Sequence, residues 1–159
     1  MHGKHSHHDE PDGKIHYYHL LIMVVLSFIS MYFLMYAMVD SFRNVYSSYN
    51  QVHMAGLMTA PMVLIELVLM KIMYQNKKLN TLIAAVSVIA LAGFFAAIRF
   101  QAGVGDKQFL RSMIPHHAGA VLMCEQSKIS DEEIKALCSQ IVQGQQKEIE
   151  QMKAILNRL

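Results

Sequence analysis

The run Met113-Ile114-Pro115-His116-His117 brings one thioether and two imidazoles into about one helical turn, and Met123 follows two turns later. Thioether and imidazole are the donors that a soft or borderline metal selects, copper above all. Adjacent helical residues point about 100° apart, so His116 and His117 diverge and do not serve one ion from one helix. Met113 and His117, four apart, share one face. His116 and Met123, seven apart, share another. The run is therefore half of a site, to be completed by Met152 on a facing helix or by a second chain. The alternative is that one imidazole is packed and hydrogen-bonded while the other is solvated. Pro115 removes one backbone donor from the carbonyl of Arg111, and a kink there would aim the two histidines.

Other residues carry donor chemistry. Cys124 and Cys138 stand seven residues either side of Asp131, at matching heights if the chain turns there. They admit three states: a disulfide, two buried thiols or a cuprous-ion pair. Met54, Met58, Met62, Glu66 and Met70 recur every four residues, and Met31, Met35 and Met38 form a shorter stripe. Methionine is also an ordinary filler of irregular packing. A carboxylate in an apolar segment is costly, however, and Glu66 needs a polar interior or a partner. His2, His5, His7 and His8 could hold Cu(II), zinc or nickel loosely, and residue 3 is Gly, so the tight amino-terminal copper motif is absent. No enzyme is expected. There is no phosphate loop, nucleophile elbow or H-E-x-x-H, and the E-x-x-H pairs of a di-iron centre are missing.

The elements that must position these groups are helical. Hydrophobic residues make up 53% of the 159 residues and charged ones 16%, against about 25% charged in an ordinary soluble domain. Mean hydropathy is +0.26. A net charge of +2 excludes a nucleic-acid surface. Residues 1–15 read as a polar, His-rich tail. Three apolar spans follow, at about 17–39, 54–73 and 79–98, each long enough to cross a bilayer. The first is too long for a signal-peptide core and lacks a cleavage site. Lys71, Lys77 and Lys78 mark the second connection as cytoplasmic, which places the tail inside and residues 100–159 outside. That last region reads as an antiparallel hairpin. Its first helix is capped by Asp106 and its second opens with the capping box Ser130–Glu133. Ile134, Leu137, Ile141, Ile149, Met152, Ile155 and Leu159 form an apolar stripe on the second helix. Two helices alone bury too little to be stable, so the hairpin should pair into a four-helix bundle or pack on the spans. The fold class expected is all-α.

The segment Asp106-x-x-Phe109-x-x-x-Met113-Ile114-Pro115-His116-His117-Ala118-Gly119-Ala120-Val121-x-Met123 resembles domain-of-unknown-function family 305, and Ile141, Val142, Gln145, Glu148-Ile149 and Met152 fit the second half of its pattern. The resemblance covers roughly residues 105–159. It implies a CopM-like, ferritin-like copper-binding helical domain. Met113, His116, His117, Met123 and Met152 would face the metal, with Glu148 as a supporting polar group. Cys124 lies outside the family's pattern, and a single hairpin behind three spans departs from its usual layout. The methionine ladder is similar to the M-x-x-x-M element of the Ctr-type copper transporters.

These readings converge on a membrane-anchored copper-binding protein of metal homeostasis or resistance. It would hold Cu(I), or Cu(II) or Ag(I), on the periplasmic side of a bacterial cytoplasmic membrane, and buffer it or pass it to a copper-handling partner. Homo-oligomerisation is expected. The alternatives are a copper transporter or channel built on the ladder of the second span, and an oligomerisation module without metal.

Overall fold

The computed structural model describes residues 11–159, which contain five α-helices and no strand. They are α1 (Pro11–Leu34), α2 (Tyr49–Leu69), α3 (Lys77–Arg99), α4 (Asp106–Gln126) and α5 (Glu132–Arg158). A 3₁₀ turn, Met35–Met38, extends α1, and a second, Phe42–Asn44, lies in the connection to α2. The all-α expectation holds. The described part of helix α1 takes in residues 11–15 of the stretch read as a polar tail.

Helix boundaries follow local capping chemistry. The Ser48 hydroxyl accepts from Gln51 N at 3.3 Å, and Asn76 Oδ1 accepts from Leu79 N at 3.0 Å. Helix α2 therefore starts five residues before the expected 54, because its polar first turn is satisfied by neighbouring chain: Tyr49 N donates to Gln108 Oε1, and Asn50 Nδ2 to Gln101 Oε1 and Ser112 Oγ. Two expected caps are corrected. Asp131 rather than Ser130 caps α5, its Oδ1 accepting from Glu133 N and Ile134 N at 2.9 and 3.0 Å. Gly105 occupies the cap of α4, and Asp106 sits in its first turn, where a carboxylate still meets the positive helix end.

Three helices, 14–38, Tyr49–Leu69 and Lys77–Arg99, are long and apolar enough to cross a membrane. Helix α2 is central and packs on both α1 and α3. Four of its five buried positions are small, Ala55, Gly56, Thr59 and Ala60, and the fifth is Val63. Gly56 allows the close approach of α3, since a Cβ there would run into the Phe94 ring. At the end remote from the hairpin, Tyr74, Leu20 and Val63 form a buried cluster. The Tyr74 hydroxyl donates to Glu66 Oε1 at 3.3 Å. Burial, and then the Glu66 carboxylate, push the Tyr74 phenol above its usual range, so it stays a donor.

The hairpin of α4 and α5 buries Leu110, Ile114, Ala118, Ile149 and Met152. Val39 and Tyr46, from the α1–α2 connection, pack on the same core. Of the two ways of stabilising the hairpin expected from sequence, packing on the spans is the one present in a single chain. Gly119 marks one close approach: a Cβ there would stand 3.3 Å from the carbonyl oxygen of Met38. On α5 the stripe residues Ile134 and Leu137 stay exposed.

Candidate metal centre

Pro115 lies inside a continuous α4, and the helix carries its two histidines to different places. The ring centroids of His116 and His117 are 6.3 Å apart with planes at 63°. His117 turns to the facing helix. Its Nδ1 lies 2.9 Å from the Met113 carbonyl oxygen, which only accepts, so Nδ1 carries a proton and donates. Its Nε2 lies 2.8 Å from Glu148 Oε2. The hydrogen bond across that contact ties α4 to α5. The His117 side chain is largely buried and that of Glu148 half open.

His116 turns the other way. With Met123 it lines a cavity of about 410 Å³ between the hairpin and the upper end of the spans. Met35, Met38 and Met54 complete the lining on the span side. Four methionines and one histidine thus line one open pocket. Tyr36, Gln51 and Ser112 add polar edges. His116 is exposed, whereas His117 is partly buried and hydrogen-bonded. This donor set suits a soft monovalent ion and has no carboxylate for a hard one. The pairing of His116 with Met123 and of His117 with Met113 follows the helix periodicity read from sequence.

Other expected site residues fall elsewhere. Met152 is buried in the hairpin core, with Met113 packed against it, so neither reaches the His116 cavity. Cys124 and Cys138 are joined as a disulfide with Cα atoms 5.3 Å apart. Of the three states considered, this one is present, and it removes both thiols as ligands. Met58 and Met62 continue down α2 from Met54, toward Glu66. His2, His5, His7 and His8 lie outside the described residues. Among the described residues no three His, Cys, Asp or Glu side chains gather around one point, so a metal site here would depend on the methionines. Sequence reasoning had noted Met35, Met38 and Met54 without connecting them to His116. The only sequence signal was their position at the ends of two spans that share one connection.

The disulfide closes the distal end of the hairpin across a sequence separation of 14. A loop of that length restricts the unfolded chain by about 3 kcal/mol. Cys124→Ser/Cys138→Ser should lower hairpin stability by about that amount in denaturant titrations followed by circular dichroism. An unchanged midpoint would show that the bridge adds nothing.

A family model described as "Domain of unknown function (DUF305)" matches residues 68–156, more than half of the chain. The chain belongs to the DUF305 family. The matched region starts well before the hairpin and takes in the whole of α3, further upstream than the M-I-P-H-H signature alone reaches. The chain is also similar to "Uncharacterized protein L153" of Acanthamoeba polyphaga mimivirus, 33% identical over 141 residues, covering 87% of this chain and 91% of that protein. An alignment of that length exceeds the hairpin and extends into the apolar helices. No solved structure matches.

Proposed function

We propose that this DUF305 protein is a membrane-anchored binder of Cu(I) that buffers the ion or hands it on. The observation that carries the reading is the junction cavity, where His116 and Met123 of α4 meet Met35, Met38 and Met54 of the spans. Neutral thioethers suit Cu(I) and Ag(I) and discriminate against zinc, calcium and magnesium, which prefer nitrogen, thiolate or oxygen donors. The His117–Glu148 hydrogen bond, Met113 and Met152 stabilise the hairpin that presents His116 and Met123.

Two independent features support one orientation. Lys71, Lys77 and Lys78 cluster at the α2–α3 connection, whereas the α1–α2 connection has only Arg43, which favours the former as cytoplasmic. The hairpin lies at the opposite end and contains a disulfide, a bond that persists in oxidising compartments. In a bacterial host this would be the periplasmic face of the inner membrane. The exposed Ile134 and Leu137 on α5 favour a second copy of the chain as a further partner.

Anaerobic competition of the detergent-solubilised full chain against a Cu(I) chelator tests the proposal. It should withdraw about one Cu(I) per chain and compete for Ag(I) but not for Zn(II). Failure to withdraw Cu(I) from a chelator of micromolar affinity would sink it.

A further inference from the structure

The two halves of the hairpin are held in different ways. The buried core lies at the end where α4 begins and α5 finishes, with Leu110, Ile114 and Ala118 against Ile149 and Met152. From Glu132 to Glu148, α5 has no buried residue, and Ile141, Val142 and Gln145 are half-buried there. The Cys124–Cys138 bridge and the His117–Glu148 hydrogen bond cross that half. The bridge belongs to neither buried cluster of the chain.

Both cysteines are half-buried and line an open cavity of about 330 Å³ together with Ser127, Lys135, Ser139 and Gln143. Exchange at a disulfide needs access for an attacking thiolate, and this one is reached without unfolding the core. Its two sulfurs are not equivalent. Lys135 stands three residues before Cys138 on the same face of α5 and lines the same cavity, with its ammonium 2.7 Å from the exposed Glu132 carboxylate. Cys138 lies in the second turn of α5, toward that helix's positive end, whereas Cys124 lies in the last turn of α4, at the negative end. A thiolate is therefore better stabilised at Cys138 than at Cys124. That makes Cys138 the leaving group and Cys124 the sulfur attacked.

We propose that the Cys124–Cys138 bridge is a site of thiol–disulfide exchange for a dithiol electron donor, and a latch whose opening releases the first half of α5. A donor thiolate in the cavity attacks Cys124 Sγ. The S–S bond breaks, a mixed disulfide forms on Cys124 and Cys138 leaves as the thiolate. The donor's second thiolate then attacks its own sulfur in the mixed disulfide, and Cys124 leaves. The donor ends as a disulfide and the hairpin gains two electrons. The two protons lost by the donor pass through solvent to Cys124 and Cys138. A dithiol is the fitting donor because its second thiol resolves the mixed disulfide within the same complex, where a monothiol stalls. No metal takes part in any step. The core around Ile114 keeps its contacts, so the loosening stays in the distal half.

Dithiothreitol and the detergent-solubilised full-length chain test this, with free thiols counted by alkylation and mass spectrometry. The rate of opening should rise in proportion to dithiothreitol over about two decades of concentration. A rate that levels off at that of global unfolding overturns the proposal, because the bridge would then be reached only through the unfolded chain. Lys135→Gln should slow opening roughly threefold, and Glu132→Gln, which frees the ammonium, should speed it by a similar factor, both with unchanged circular dichroism. Equal rates in wild type and both variants overturn the assignment of Cys138 as leaving group. With glutathione, a monothiol, the trapped mixed disulfide should favour Cys124 over Cys138 by about fivefold; a preference for Cys138 overturns the same assignment. After reduction and alkylation, the amides of residues 132–145 should exchange with deuterium about tenfold faster while those of 149–156 keep their protection. Loss of protection in both stretches, or in neither, overturns the latch.

Discussion

His116→Ala combined with Met123→Leu should weaken Cu(I) binding by the full-length protein on the order of 100-fold, about 2.7 kcal/mol. Chelator competition would read this as a shift of two decades in the chelator concentration needed for half-removal. The size follows from the donor count. Four methionines and one histidine line the cavity, and His116 is the only imidazole among them. Removing the imidazole and the α4 thioether leaves three methionines on the span side. The triple change Met35→Leu/Met38→Leu/Met54→Leu empties that side instead and should cost a similar amount, although none of the three lies in the M-I-P-H-H segment. His117→Ala is the internal comparison. His117 faces Glu148 across the hairpin, so its loss should change cavity affinity by no more than a few-fold. If His117→Ala abolished binding while the His116 pair left it intact, the site would belong to the hairpin interior and the cavity assignment would be wrong. A Gly119→Val variant probes the same geometry without touching a ligand. Its side chain would press on the Met38 carbonyl and lift α4 from the spans, separating the two halves of the donor set.

The helices and the split of the two histidines were legible because both depend on period alone. Apolar length sets the spans, and an angular step of about 100° sends His116 and His117 apart. The partners of those histidines were not legible in the same way. His116 meets Met35 and Met38 only because the 3₁₀ turn after α1 curls beneath Gly119. Met54 joins them because Asn50 and Gln51 anchor the first turn of α2 to Ser112 and Tyr32. Those polar residues, 49–53, read as loop in the sequence, since their hydrogen-bond partners lie in remote segments. Met152 misled for the opposite reason. A methionine at heptad spacing is a packing residue or a ligand by the same pattern, and only its burial against Leu110 and Ile114 assigns it to the core. The shift of the α5 cap from Ser130 to Asp131 is a smaller matter of the same kind: two adjacent residues offer a capping oxygen, and the turn geometry chooses between them.

Ile114→Ala should destabilise the hairpin by about 3 kcal/mol and loosen the metal cavity with it. Ile114 has no exposed surface and sits among Leu110, Ala118, Ile149 and Met152. Truncation there loses apolar burial and leaves a cavity, at about 2–5 kcal/mol for such a change. The effect extends beyond the hairpin because Val39 and Tyr46 of the α1–α2 connection pack on that core, and the Tyr36 hydroxyl donates to the Tyr46 carbonyl at 3.0 Å. Loosening Ile114 therefore frees the segment that holds Met35 and Met38 beneath His116. Denaturant titration should show the lost stability, and chelator competition a roughly tenfold weaker Cu(I) site although every ligand is retained. Ile114→Val, which removes one methyl group, should cost about 1 kcal/mol and leave the metal affinity near wild type. Equal metal affinity in wild type and Ile114→Ala, with the hairpin clearly destabilised, would mean that the cavity is held by the span-side contacts alone. The polar ties from Tyr49 and Asn50 to α4 would then be the contacts that hold α4 to the spans.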